Sequence, residues 1–169
     1  MGDSLTLKQK TMRIADDTAY SVHNLLGVDK TNAIDTYEIA KKMGVLKGNK
    51  IENNSSIYLR NKKEPNVARY EWARDIAKFI VAASNPKANT KGMLYQETID
   101  ELAASLIMPK KETLIIYNYL NAKGVDENKI ARVLATRYGI SESIAIKRLK
   151  FLVEEDKKYV LKKEKREQK

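Results

Sequence analysis

The chain has 169 residues, of which 43% are hydrophobic, so it is long and apolar enough for one folded domain with a real core. It contains no cysteine, which excludes disulfide scaffolds, thiolate metal sites and cysteine nucleophiles. Lys and Arg number 32 against 22 Asp and Glu, and the resulting net charge of +10 favours acidic or phosphate-bearing partners.

No apolar segment of the sequence is long enough to indicate a membrane-spanning protein. The longest apolar run, Phe79 to Ala83, is far shorter than the roughly 20 residues that cross a bilayer. No apolar segment of the signal-peptide type follows the N-terminus. Together with the absence of cysteine, this predicts a cytoplasmic protein.

Apolar residues at three- and four-residue steps predict two helices at the start of the chain. The first runs over 6–26 and ends at Gly27. The second runs over 34–43, with Asp35 as its N-cap and Gly44 at its end.

A short β region is expected next, followed by a long helix. The β-type segments are 45–46 and 56–59, and the stretch over 60–65 reads as a polar, basic loop. The helix over 66–83 is apolar around most of its girth, which predicts a central position in the fold.

Four more helices are predicted in the second half of the chain, separated by Pro109, Gly124 and Gly139. They run over 95–108, 111–122, 126–138 and 141–155. The last dozen residues are mostly charged and predict a disordered tail.

The expected fold class is therefore α+β, mainly α-helical, with a small β-sheet and a C-terminal bundle of the helix-turn-helix type. The expected organisation is a core over 1–110, C-terminal helices packed on it over 111–155, and a disordered basic tail over 156–169.

Four segments occur in the order and spacing found in a known family. They are Ile34 to Gly44, Arg69 to Ile80, Leu102 to Pro109, and Ala135 to Ser141 with Arg148 and Leu149. With these segments the chain resembles the ImmA/IrrE family of zinc metallopeptidases, which inactivate repressors of mobile elements and stress regulons. The resemblance covers roughly residues 34–152 and implies a zincin-like core over 1–110.

The catalytic motif of that family is missing. The family carries His-Glu-x-x-His on its central helix, where two histidines bind zinc and the glutamate activates a water molecule. In that register this chain has Arg74, Asp75 and Lys78, and the family's glutamate ligand aligns with Thr98, next to Glu97. Because an arginine keeps its proton in proteins, the sequence predicts no metal, no cofactor and no catalytic residue at this degenerate site.

We expect the cations at the former ligand positions to pair with acids of the neighbouring helix, in place of the metal. The candidate acids are Glu97, Asp100 and Glu101. Two alternatives stay open. One is an ordinary ion pair between Asp75 and Lys78, and the other is a solvated cleft face.

Residues 129–152 resemble a helix-turn-helix, in which the second helix enters the major groove of DNA. Three basic residues of that helix are candidate nucleic-acid contacts: Lys147, Arg148 and Lys150. Glu142 at the start of the helix would repel phosphate, so packing of the two helices on the core is the alternative.

The resemblance implies a catalytically inactive ImmA/IrrE-like protein that acts by binding, as a regulator or antirepressor of a phage or mobile element. Its expected partner is a helix-turn-helix repressor, and the expected contact residues are Arg60, Lys62, Lys63, Arg74, Asp75 and Lys78. The alternative is a small DNA-binding transcriptional regulator that uses the C-terminal helices and the basic tail, so nucleic acid is a possible partner and a membrane is not. An enzyme of another kind is not favoured, because the chain has no cysteine and its only histidine, His23, is more typical of packing than of catalysis. No oligomeric state is predicted.

Overall fold

The computed structural model describes residues 7–30, 33–44, 65–84 and 93–167. Every regular element in these ranges is a helix. The helices are α1 (Leu7–Leu26), α2 (Thr36–Lys42), α3 (Pro65–Ser84), α4 (Met93–Ile107), α5 (Lys110–Ala122), α6 (Glu127–Tyr138) and α7 (Glu142–Glu167). Among them, none combines the length and the apolar character that crossing a membrane requires.

The expected α+β class, with a small β-sheet in a zincin-like core, is wrong for this structure. The four described ranges hold seven helices and no strand. Among the described residues, α4 packs against the helices α1 and α3, which cover its apolar surface in place of a sheet. The segments predicted as strands, 45–46 and 56–59, lie outside the described residues. The broader expectation of a mainly helical protein is confirmed.

The centre of the core is α4 rather than α3, the helix that the sequence places there. In α4 and the turn after it, Ile99 and every residue from Glu101 to Pro109 are buried. On α3, by contrast, the side chain of Phe79 is 45% exposed. Part of the apolar surface of α3 is therefore not covered by the rest of the described structure.

The last helix, α7, is longer than predicted. It begins at Glu142 and continues for 26 residues to Glu167, so the segment over 156–167 is helical in place of the disordered tail that its charge suggests. The composition explains this outcome, because Lys, Glu, Leu and Arg all have high helix propensity. It packs on α6 and contacts α5, and its buried residues lie between Ala145 and Glu155.

Candidate functional site

The three residues that the sequence aligns with the metal-binding motif lie on α3, and Arg74 among them contacts α4. Arg74 extends from α3 so that its Nε lies 2.8 Å from Oδ1 of Asp100 on α4. Its Nη2 also donates a hydrogen bond to Oε1 of Gln96, at 3.4 Å. The expected pairing of a cation with an acid of the neighbouring helix is thus confirmed for Arg74, and Asp100 is the acid.

Lys78, the other cation at these positions, forms an ion pair within α3. Nζ of Lys78 lies 3.1 Å from Oδ1 of Asp75, three residues earlier. This is the ordinary ion pair that the sequence left open as an alternative. We call Arg74, Asp75, Lys78 and Asp100 the α3–α4 charge cluster. The two other degenerate positions lie on α4, where Glu97 is exposed and Thr98 is half-buried.

The α3–α4 charge cluster is partly open to solvent. The side chains of Arg74 and Asp100 keep 34% and 37% of their accessible surface. Tyr70 lies one turn before Arg74 on α3, and burial, reinforced by the charge of Asp100, raises the pKa of its hydroxyl to about 12. Tyr70 therefore stays protonated at neutral pH, and the charges of the cluster are those of its two cations and two acids.

Glu101 does not pair with Arg74 or Lys78 but contacts α7. Its side chain is buried, and its Oε1 lies 3.2 Å from Nζ of Lys147 on α7. The third candidate acid therefore joins α7 to α4. Because Lys147 is held in this way, one of the three predicted nucleic-acid contacts has a structural partner inside the protein.

The prediction that Arg148 contacts nucleic acid is wrong. Its side chain is 1% exposed, pairs with Asp16 of α1 and donates a hydrogen bond to the carbonyl oxygen of Met108, at 3.4 Å. A guanidinium that is buried between helices cannot reach a phosphate. Of the three predicted contacts, Lys150 alone is exposed without an ion pair to the described residues.

A second ion pair between α1 and α7 was not foreseen from the sequence. Nη2 and Nε of Arg13 lie 3.0 and 3.2 Å from Oε2 of Glu155, whose side chain is buried. Arg13 and Glu155 are 142 positions apart, so no local pattern could have linked them. Together with the pair of Asp16 and Arg148, this contact ties the first helix to the last.

A pocket of about 280 Å³ lies between α1 and the start of α5, away from the charge cluster. His23 lies on its wall, and Nε2 of the buried ring donates to the carbonyl oxygen of Leu106 at 2.8 Å. Burial lowers the pKa of His23, so the ring is neutral at physiological pH. This geometry fits a packing role for the only histidine of the chain.

The α3–α4 charge cluster offers two cations and two acids held in ion pairs. Across the part of the chain that the structure describes, no three His, Asp or Glu side chains are grouped so that they could hold a metal ion. The positions that would ligate zinc in the resembled family carry a guanidinium and an ammonium, each with an acid beside it. Such pairs can open and re-form with the charged groups of a partner.

The loop residues that were expected to complete this surface, Arg60, Lys62 and Lys63, lie outside the described residues. Comparison with known proteins adds no relative: no family model, no curated protein and no solved structure matches this chain.

Proposed function

We propose that this protein acts by binding a protein partner in the cytoplasm, as a catalytically inactive relative of the ImmA/IrrE peptidases. The partner is a helix-turn-helix repressor of a phage or mobile element, and binding without cleavage relieves repression. A ligand that favours one state of its partner shifts the population toward that state, so no chemical step is needed.

One observation carries the non-catalytic part of the proposal, namely the contact between Arg74 and Asp100. The side chain at the first ligand position is a permanent cation, and its Nε lies 2.8 Å from a carboxylate of the adjacent helix. This pair joins α3 to α4 at the point where the resembled enzymes use zinc.

The binding part of the proposal rests on the exposure of the same cluster. Both side chains of the Arg74–Asp100 pair keep about a third of their surface in solvent, so their mutual attraction is weak and a partner can compete for it. Two cations and two acids alternate on the face, which suits a partner segment that itself carries charges of both signs. We therefore expect recognition by exchange of ion pairs rather than by net charge.

Reading of DNA through the start of α7 is not favoured by the observed contacts. Arg148 is buried, Lys147 pairs with Glu101, and Glu142 pairs with Arg132 of α6 at 3.2 Å. The helix-turn-helix-like unit is thus used to pack α7 on the core.

The decisive experiment measures binding and cleavage together. The purified chain is mixed with the repressor encoded beside its gene, and the complex is quantified by calorimetry while the repressor is followed on a gel. We expect a complex with an intact repressor, and at least tenfold weaker binding for Arg74→Glu, because this change places three acids together.

The matched control is Arg132→Glu, which breaks an exposed ion pair on α6 and makes the same change of charge. It should bind the repressor as the wild type does. Equal loss in both variants would show that the charge cluster is not the contact surface, and metal-dependent cleavage of the repressor would refute the non-catalytic part.

A further inference from the structure

After Asp156, α7 has five exposed residues in a row. Earlier in α7, residues at helical spacing are buried, among them Ala145, Leu149 and Leu152. From Lys157 to Leu161 every residue is exposed, although the helix continues without a break to Glu167. We call residues 157–167 the distal segment of α7.

The distal segment and the two residues after it carry half of the net charge of the chain. Residues 157–169 contain seven basic and two acidic residues, a net charge of +5, which is half of the total of +10. The remaining 156 residues share the other half, so most of the protein surface is only mildly basic. A strong positive field at one helical end is the electrostatic signature of a polyanion-binding element.

We propose that the distal segment of α7 binds the phosphate backbone of double-stranded nucleic acid without sequence preference. Basic residues occur at positions 157, 158, 162, 163, 165 and 166, which at 100° per residue are spread around most of the circumference of the helix. A helix of this kind that lies in a groove can reach phosphates on both walls. A protein partner would need only one basic face.

The arrangement of the apolar residues argues against a membrane as the partner. Tyr159, Val160 and Leu161 are exposed but consecutive, so they point in directions about 100° apart. A helix that lies on a bilayer collects its apolar side chains on one face and its basic ones on the other. The distal segment has no such division over the residues whose exposure the structure describes.

Binding is tested with the full chain and a fluorescein-labelled duplex of 24 base pairs, followed by anisotropy between 50 and 200 mM NaCl. We expect binding at low salt and a steep loss with salt, since each neutralised phosphate contributes a slope of about −0.9 in log K against log[salt]. Replacing Lys157, Lys158, Lys162 and Lys163 by Gln should weaken binding at 50 mM at least tenfold and make the slope shallower by about 3 to 4.

The matched control also replaces four lysines by Gln, at exposed positions on other helices and turns. These positions are Lys10, Lys41, Lys123 and Lys129. It makes the same change of net charge, so affinity and slope should stay close to those of the wild type. The single change Lys157→Gln, which cannot disturb the fold through accumulated substitutions, should make the slope shallower by about 0.9.

Three outcomes would overturn the proposal. They are the absence of duplex binding at 50 mM, an equal loss in the two fourfold variants, and lysine-dependent binding to phosphatidylserine vesicles without binding to the duplex. The experiment is independent of repressor binding, because the distal segment and the α3–α4 charge cluster are on different helices and are tested by different substitutions.

Discussion

Arg69 of α3 closes the C-terminal end of α6 by contacting the turn at Gly139. Its Nη1 donates to the carbonyl oxygens of Tyr138 and Gly139, at 3.1 and 3.0 Å. Gly139 has a φ of +60°, and a Cβ added there would overlap the guanidinium of Arg69. The left-handed conformation therefore favours glycine at this position, and a Cβ would also displace the flexible guanidinium of Arg69 from its two carbonyl acceptors.

We expect Gly139→Ala to lower the free energy of unfolding by about 3 kcal/mol. A left-handed conformation costs a non-glycine residue roughly 1–2 kcal/mol, and displacement of Arg69 adds the loss of hydrogen bonds from a charged donor. The measurement is urea unfolding followed by circular dichroism.

Gly124→Ala provides the matched control for this prediction. Gly124 also has a positive φ, +74°, but a Cβ added there would meet no atom within 4 Å. This variant should lose only the backbone contribution, about 1–2 kcal/mol. Equal losses for the two alanine variants would show that Arg69 does not stabilise the turn.

The buried histidine predicts a loss of stability in mild acid. Burial holds the pKa of His23 below its ordinary value of 6.5, so the unfolded chain binds a proton that the folded chain does not. The stability that His23 contributes in its neutral form should therefore be complete above pH 6.5. The free energy of unfolding should fall as the pH drops through the lower pKa of the folded state.

Unfolding in urea at pH 7.5 and 5.5 checks this dependence. His23→Gln removes the titrating ring, and because the chain has no second histidine, the variant should lose much less stability between these two pH values. An equally large decrease in the variant would assign the effect to other groups.

The ion pair of Arg148 and Asp16 should matter far more than an exposed pair. Arg148→Met leaves a carboxylate without its cation in a largely buried setting, which we expect to lower the free energy of unfolding by about 3 kcal/mol. Arg132→Met breaks the exposed pair with Glu142 and should cost no more than about 1 kcal/mol.

Adding Asp16→Asn to Arg148→Met tests the origin of that loss. If the cost arises from the unpaired acid, the double variant should be more stable than Arg148→Met alone. If the losses in the free energy of unfolding caused by Arg148→Met and by Asp16→Asn simply add in the double variant, this explanation is contradicted.

Two lysines of α7 that look alike in sequence should respond differently to the same change. Lys147 pairs with the buried Glu101, so Lys147→Gln deprives a buried carboxylate of its cation and should cost about 1 kcal/mol or more. Lys150→Gln changes an exposed side chain and should stay within about 0.5 kcal/mol of the wild type. Urea unfolding of both variants at pH 7 distinguishes them, and equal costs would mean that the contact with Glu101 does not stabilise the docking of α7.

Local patterns predicted the helices well because caps and apolar periodicity act within a few residues. Asp35 is the N-cap of α2 as expected, and Oδ1 of its side chain accepts from the backbone N–H of Glu38 at 3.1 Å. Gly139 ends α6 in the predicted place. Of the candidate site, the pairing of Arg74 with an acid of the next helix also followed from sequence, since residues of opposite charge stood on two neighbouring amphipathic helices.

The burial of Arg148 was missed although a local signal existed. Arg148 is three residues after Ala145 and four before Leu152, so it lies on the apolar stripe of α7. Its charge suggested exposure, and its partner Asp16 is 132 positions away, beyond the reach of any periodic pattern. The contact of α1 with α4 is likewise beyond the reach of a local pattern, because about 65 or more residues separate the two helices.

Both ion pairs between α1 and α7 involve residues at or before Glu155, whereas the basic end begins at Lys157. The first part of this helix is therefore tied to α1 by contacts that its basic end does not make among the described residues. Substitutions at Arg148 or Glu155 would need compensating changes in α1, while the terminal lysines can be gained, lost or exchanged one at a time without such compensation.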